Sequence, residues 1–195
     1  MKLLRFFIIC APTCFLAGCI FLVHQSRPYY HHELALSMKD GVPCFSIENN
    51  GDVTNTNAHI QFISVGQKTN PIPIWEYHWK DAFTLASGEC VQYGTGAGRA
   101  RDVWSPNDCR HFKQNLPEKP FVWLPSGECF IDYHAATLEK GVVYFVEFIA
   151  YHKKNEDHSF SSYFCLSENK KGETIIHRLN SDRQKTTVET CPSVK

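Results

Sequence analysis

Neither sign of charge dominates this chain, which sets 20 lysines and arginines against 20 aspartates and glutamates over 195 residues. A nucleic-acid-binding domain carries a basic patch that neutralises phosphates, so this balance argues against nucleic acid as a partner. No two cysteines form a CxxC pair, the close spacing that structural zinc sites normally use. No GxSxG elbow is present to raise a nucleophilic serine on a strained turn. The glycine-rich run Gly94-Thr95-Gly96-Ala97-Gly98-Arg99 lacks the lysine and hydroxyl residue of a phosphate loop, and reads as a loop. Helical periodicity is weak throughout. Adjacent carboxylates such as Glu156-Asp157 fall in a polar turn, without the shelter that acid–base catalysis needs to raise one pKa. These absences leave no catalytic constellation, and no cofactor is expected.

What is present begins at the N-terminus. Lys2 and Arg5 precede Phe6–Val23, an 18-residue stretch with no charged side chain, which is the layout of an export signal. Inside it, Leu16-Ala17-Gly18-Cys19 resembles the bacterial lipobox, in which the cysteine thiol is acylated and the chain is cut just before it. The alternative is an uncleaved anchor helix, since Ile20-Phe21-Leu22-Val23 continues the apolar run and its length just reaches across a bilayer. Pro12 and Gly18 weaken such a continuous span. Under either reading the bulk of the chain lies outside the cytosol. Ile rather than Asp at position 20 favours the outer membrane by resemblance to lipoprotein sorting rules. The expected organisation is a signal over residues 1–18, a lipidated cysteine and tether over 19–37, and one domain over 38–195. Loss of the signal removes Lys2 and Arg5, leaving 18 cations against 20 anions and a net charge near −2.

Of nine cysteines, Cys10 and Cys14 leave with the signal and Cys19 takes the lipid, so six remain: Cys44, Cys90, Cys109, Cys129, Cys165 and Cys191. An even number in an oxidising compartment points to three disulfides, each stabilising by about 2–4 kcal/mol through the unfolded chain. Six thiols allow fifteen pairings, and sequence alone does not choose among them. The expected set is Cys44–Cys129, tying an opening strand to a later one, with Cys90–Cys109 and Cys165–Cys191 closing local loops. A catalytic cysteine would leave an odd thiol.

Clusters of aromatic and β-branched residues mark strands at 42–47, 59–65, 72–79, 89–93, 121–124, 129–133, 142–152, 160–167 and 174–179. Turn-rich segments such as Asn49-Asn50-Gly51-Asp52 and Asn169-Lys170-Lys171-Gly172 separate them. Short strands at this spacing predict an all-β fold, an antiparallel immunoglobulin-like sandwich held by disulfides. Residues 142–167 form a long hairpin. Ser87-Gly88-Glu89-Cys90 recurs as Ser126-Gly127-Glu128-Cys129, a repeated turn-and-strand that two copies do not extend into a solenoid. Gly94–Glu118 lacks alternation and reads as a long loop, a feature that is often functional in compact domains.

Trp75, Tyr77 and Trp79 share one strand face by period two, which suits either a core or an interface. Trp104, Arg99 and Arg101 fall in the long loop and are the candidate partner-binding residues. Ten histidines include His31-His32-Glu33 and Glu76-Tyr77-His78, conceivable metal ligands; the first lies in the tether, and histidine in an alternating strand is more often a packing residue.

As a whole the pattern resembles the type VI secretion immunity lipoproteins of the Gram-negative periplasm. The features that carry this are Leu16-Ala17-Gly18-Cys19, Gly41-Val42-Pro43-Cys44-Phe45-Ser46-Ile47, the two Ser-Gly-Glu-Cys turns, and Gly141-Val142-Val143-Tyr144 opening a hairpin that closes on Tyr163-Phe164-Cys165-Leu166. The resemblance implies a non-enzymatic β-domain that binds and neutralises a secreted toxin in the periplasm, with no catalytic residue carried over. The stretch from Gly94 to Trp123 is longer than a minimal member needs, and is where toxin specificity could lie. The runner-up is a structural lipoprotein docking on an envelope assembly, and a hydrolase or metal carrier rests on the histidines alone.

Overall fold

The computed structural model describes residues 29–48, 53–152, 156–182, 187–188 and 190–192. The export signal and the lipobox with Cys19 lie outside the described residues, as do the Asn49–Asp52 turn and residues 153–155. No helix among the described residues is long and apolar enough to cross a membrane.

The chain is mostly β. The first strand, β1 (Tyr29–Lys39), turns through Asp40 and Gly41 into β2 (Val42–Ile47), with Lys39 opposite Val42. Both turn residues hold positive φ, 52° and 76°, the twist that a tight two-residue hairpin needs and that Asp-Gly supplies at low steric cost. β1 therefore begins inside the segment expected to be tether. Leu34, Leu36 and Met38 recur with period two and pack inward, so folding them into the sheet removes apolar surface from water.

β3 (His59–Gln67) and β4 (Asn70–Phe83) form a bulged hairpin, followed by the short β5 (Val91–Gln92). After an inserted lobe come β8 (Val143–Tyr151), β9 (Asp157–Glu168) and β10 (Thr174–Leu179); the lobe's own strands are β6 (Phe121–Trp123) and β7 (Cys129–Ile131). Two short strands, β11 (Ser181–Asp182) and β12 (Thr187–Val188), pair near the C-terminus. All nine segments expected as strands contain one.

The main sheet has the order β4-β3-β8-β9-β1-β2-β5, with β10 also on β9. Its ladders are antiparallel except one: β1 runs parallel to the first half of β9, Tyr29 opposite Asp157 through Glu33 opposite Ser161. β10 takes the second half of the same edge. Arg178 closes the fork where β1 and β10 part, its Nη2 donating to the Leu34 carbonyl at 2.7 Å and the Glu48 carboxylate at 2.6 Å. The sheet is thus mixed rather than purely antiparallel.

Alternation along β8 sends Tyr144, Val146, Phe148 and Ala150 inward, and they meet Phe45, Ile60, Ile63, Trp75, Phe160 and Phe164 in one core. β9, with neighbours on both edges, is buried on both faces along most of its length. The sheet curls, since Trp75 of β4 stacks edge-on against Tyr93, one residue beyond β5 at the opposite end of the strand order, with centroids 5.2 Å apart. Tyr93 fastens that corner, its backbone donating to the Pro43 carbonyl and its hydroxyl to the Ala136 carbonyl, both at 2.8 Å. Burial pushes its hydroxyl pKa well above the usual tyrosine value.

Three disulfides are formed, Cys44–Cys90, Cys109–Cys129 and Cys165–Cys191. The third is the expected pair, while Cys44–Cys129 and Cys90–Cys109 are replaced. The reason is topological. Residues beside Cys90 pair with β2, Phe45 opposite Val91, which brings Cys90 to Cys44. Cys109 is carried away from Cys90 on a helix that faces β7 and its Cys129.

That helix, α1 (Pro106–Asn115), occupies much of the segment expected to be loop. Its start is marked in the sequence: the Ser105 hydroxyl accepts from Asp108 N–H, Pro106 stands in the first turn, and Asp108 complements the helix N-terminus. Its apolar face is narrow, Cys109 being the only residue fully buried, so periodicity gave little sign of it.

Candidate functional site

The inserted lobe, residues 99–134, carries every candidate partner-binding residue. It begins as a cover for an exposed edge. β4 ends the sheet, and a bare edge presents unpaired N–H and C=O groups that invite aggregation. Here Lys80 N–H donates to Ala100 O at 3.1 Å and Asp102 N–H to His78 O at 2.9 Å. Further along, Tyr133 bridges Glu76, and Ala136 N–H donates to Ile74 O at 3.3 Å. Just before the lobe, the glycine-rich run folds over the aromatic face of β4: Trp79 Nε1 donates to Gly96 O and the Tyr77 hydroxyl to Arg99 O, each at 2.9 Å. A side chain at Gly96 would place Cβ 2.4 Å from the Tyr77 ring, so glycine is required by close approach rather than by a phosphate.

Within the lobe, Trp104 and Cys129 exchange backbone hydrogen bonds of 2.8 and 3.3 Å, and β6 pairs with β7. The Cys109–Cys129 disulfide locks α1 onto this unit. Trp104 is half-buried in an aromatic cluster, edge-on to Phe112 at 5.1 Å, Phe121 at 6.3 Å and His78 at 5.6 Å. Arg101 lies between the Tyr77 ring, at 4.3 Å, and the Phe130 ring, at 5.0 Å. Its Nη1 donates to the Ile131 carbonyl at 2.8 Å and the Asp132 carboxylate at 2.7 Å, with 19 % of the side chain exposed. Arg99 is exposed and stacks over Phe83 at 4.2 Å. The fold therefore gathers Arg99, Arg101 and Trp104 on one lobe and spends much of the last two on holding it together.

The lobe also contains exposed residues that sequence reasoning missed. Six large hydrophobics are exposed among the described residues, and four of them, Val103, Leu116, Val122 and Trp123, belong to this lobe. Trp123 is 46 % exposed. The other two, Tyr30 and Ile72, lie outside it. The signal available in the sequence was the Phe-Val-Trp run; what was not legible is that β6 has only β7 beside it, which leaves both Val122 and Trp123 exposed.

On its inner side the lobe encloses a charge. Glu76 is 3 % exposed, and its carboxylate lies 2.9 Å from His78 Nε2 and 3.5 Å from the Lys119 ammonium, which comes from the lobe. A carboxylate this deep needs such partners, because burial without them is costly. Burial, and then the Glu76 and Glu118 carboxylates, push the Tyr133 hydroxyl pKa up. Glu76 and His78 share one strand face while Tyr77 points to the other, so the triplet noted as conceivable ligands is split. His31 and His32 lie in β1 rather than in a tether, with His32 Nε2 2.8 Å from His158 Nδ1. Among the described residues no group of three or more His, Cys, Asp or Glu is placed to hold a metal. Trp75 and Trp79 are buried in the core and Tyr77 packs beside them, so that aromatic stripe serves packing.

No protein-family model, curated protein or solved structure matches the chain.

Proposed function

We propose that this protein is a lipoprotein of the periplasm, held through acylated Cys19 to the outer membrane, whose inserted lobe binds and neutralises a type VI secreted toxin. The observation that carries the binding role is the exposed apolar set Val103, Leu116, Val122 and Trp123 on a lobe braced by a disulfide. A rigid surface loses little conformational entropy on association, and tryptophan is among the residue types that most often dominate binding energy. The export reading draws support from the signal-like N-terminus and from six cysteines all joined in disulfides, which form and persist in oxidising compartments. The assignment of the partner as a toxin rests on the motif resemblance. The immunoglobulin-like reading of the fold has its support in the curl, which sets β2 and β5 across the core from β4.

Deletion of this gene beside an intact neighbouring effector gene should poison the periplasm of its own cell. Healthy growth of that strain would overturn the immunity role, and stoichiometric capture of envelope-assembly components without an effector would assign the lobe to a docking lipoprotein instead.

A further inference from the structure

Two imidazoles hold the first half of β1 to β9. Where these strands run parallel, Tyr30 stands opposite His158 and His32 opposite Phe160, which brings four rings to one face. His32 Nε2 lies 2.8 Å from His158 Nδ1. The His32 ring stacks on His158 at 5.1 Å and on Phe160 at 4.8 Å, and Tyr30 stacks on His158 at 5.0 Å. His158 is 3 % exposed, so the contact is largely removed from water.

The fold separates this half-strand from the rest of β1. Pairing with β2 begins only at Leu34, so residues 29–33 have β9 as their one ladder. Leu34 is fixed independently: its N–H donates to Ser162 Oγ at 3.2 Å, and its carbonyl accepts from Ser162 Oγ at 3.0 Å and from Arg178 Nη2 at 2.7 Å. Release of residues 29–33 therefore stops at Leu34 and leaves the core intact.

We propose that the His32–His158 contact is an acid-released clasp, opened by a second proton that frees residues 29–33 from β9. A hydrogen bond between two imidazoles needs an N–H on one ring and a lone pair on the other. The pair accommodates one added proton; with two, both facing nitrogens carry hydrogen and both rings carry charge. Among the described residues, Tyr30 of β1, Glu156 just before β9 and His152 just past β8 face the pair. The Glu156 carboxylate, 3.7 Å from His158 Nε2, supports the first proton. The His152 ring, 6.1 Å from that of His158, adds a third imidazole, so one carboxylate stands against three groups that charge in acid. The released segment binds two protons below the ordinary histidine pKa of about 6.5, whereas the closed pair binds one, so falling pH favours release. Five freed residues add at most about 17 Å of reach between the domain and the segment that precedes it. The clasp uses none of the lobe's residues and stands or falls separately from toxin binding.

Hydrogen exchange of the full oxidised chain tests this, read by mass spectrometry on the peptide covering residues 29–33 and corrected for the intrinsic pH dependence of exchange. Its protection should fall by up to about tenfold per pH unit from about pH 6.5 to 4.5, the dependence that one linked proton gives, while β3 and β8 keep theirs. His32→Gln, whose carboxamide both donates and accepts and so bonds His158 in either charge state, should flatten that fall. In the unaltered chain, NMR of the ring protons should show the two imidazoles taking up protons in two separate steps. Protection of residues 29–33 that ignores pH, or that falls equally in His32→Gln, overturns the clasp. So does loss of protection in β8 over the same range, or uptake of both protons together at the ordinary histidine value.

Discussion

Replacing Arg101 by alanine separates two roles that the same residue could have. In the structure its guanidinium makes one charged hydrogen bond to Asp132 and one to the Ile131 carbonyl, and fills the gap between the Tyr77 and Phe130 rings. A hydrogen bond to a charged partner contributes about 1.5–3 kcal/mol and each cation–π contact about 0.5–1 kcal/mol. Both members of the ion pair keep nearly a fifth of their side-chain surface in water, which screens the pair and lowers the sum. We expect Arg101→Ala to cost about 2–4 kcal/mol of stability. Arg101→Lys, which keeps a charge but replaces the flat guanidinium between the Tyr77 and Phe130 rings with a compact ammonium, should cost about half as much. The assay is urea unfolding of the oxidised protein followed by tryptophan fluorescence, reading the midpoint at constant m. A change of less than about 0.5 kcal/mol, the range of an ordinary surface substitution, would refute the bracing role. If that same variant lost its partner, Arg101 would be a contact residue instead.

Removing the lobe's disulfide with Cys109→Ala and Cys129→Ala opens a link with a sequence separation of 20, and should cost about 3 kcal/mol by the chain-entropy relation. Non-reducing peptide mapping should recover Cys44–Cys90, Cys109–Cys129 and Cys165–Cys191, and a Cys44–Cys129 peptide would contradict the topology. Gly96→Ala forces a methyl group into the Tyr77 ring and should destabilise by about 1–3 kcal/mol, which thermal unfolding would detect. The raised Tyr93 pKa stabilises the fold fully below the ordinary tyrosine value of 10.0, and that contribution is lost as pH climbs above it, because the unfolded phenol ionises first. Tyr93→Phe should therefore flatten the fall in unfolding midpoint between about pH 9 and 11, and an unchanged slope would remove Tyr93 as its source.

The strands were largely legible because apolar alternation and turn chemistry are local. Val142–Ser167 reads as a hairpin in the sequence and is β8 and β9 in the fold. β1 escaped because the histidines and glutamate at 31–33 obscure the alternation that begins at Leu34, and because its parallel partner stands across from it at Asp157, far along the chain. α1 announced itself through Ser105-Pro106 and Asp108, but the surrounding lack of periodicity outweighed its cap. Cys165–Cys191 could be read from proximity in sequence, whereas Cys44–Cys90 depends on β5 joining β2, a contact that only the folded topology creates. The same holds for the candidate surface: the sequence supplies Val122 and Trp123, while their exposure follows from β6 lacking a neighbour beyond β7.

Of the proposed immunity role, the most direct measurement is the affinity of the chain for any effector protein encoded next to its gene, compared with a Val122→Ala, Trp123→Ala variant of equal thermal stability. Binding by the unaltered chain, weakened at least about a hundredfold in the variant as loss of a buried tryptophan anchor demands, is the expected result. Absence of binding, or equal affinity for both proteins, would contradict the assignment of this lobe as the toxin-neutralising surface.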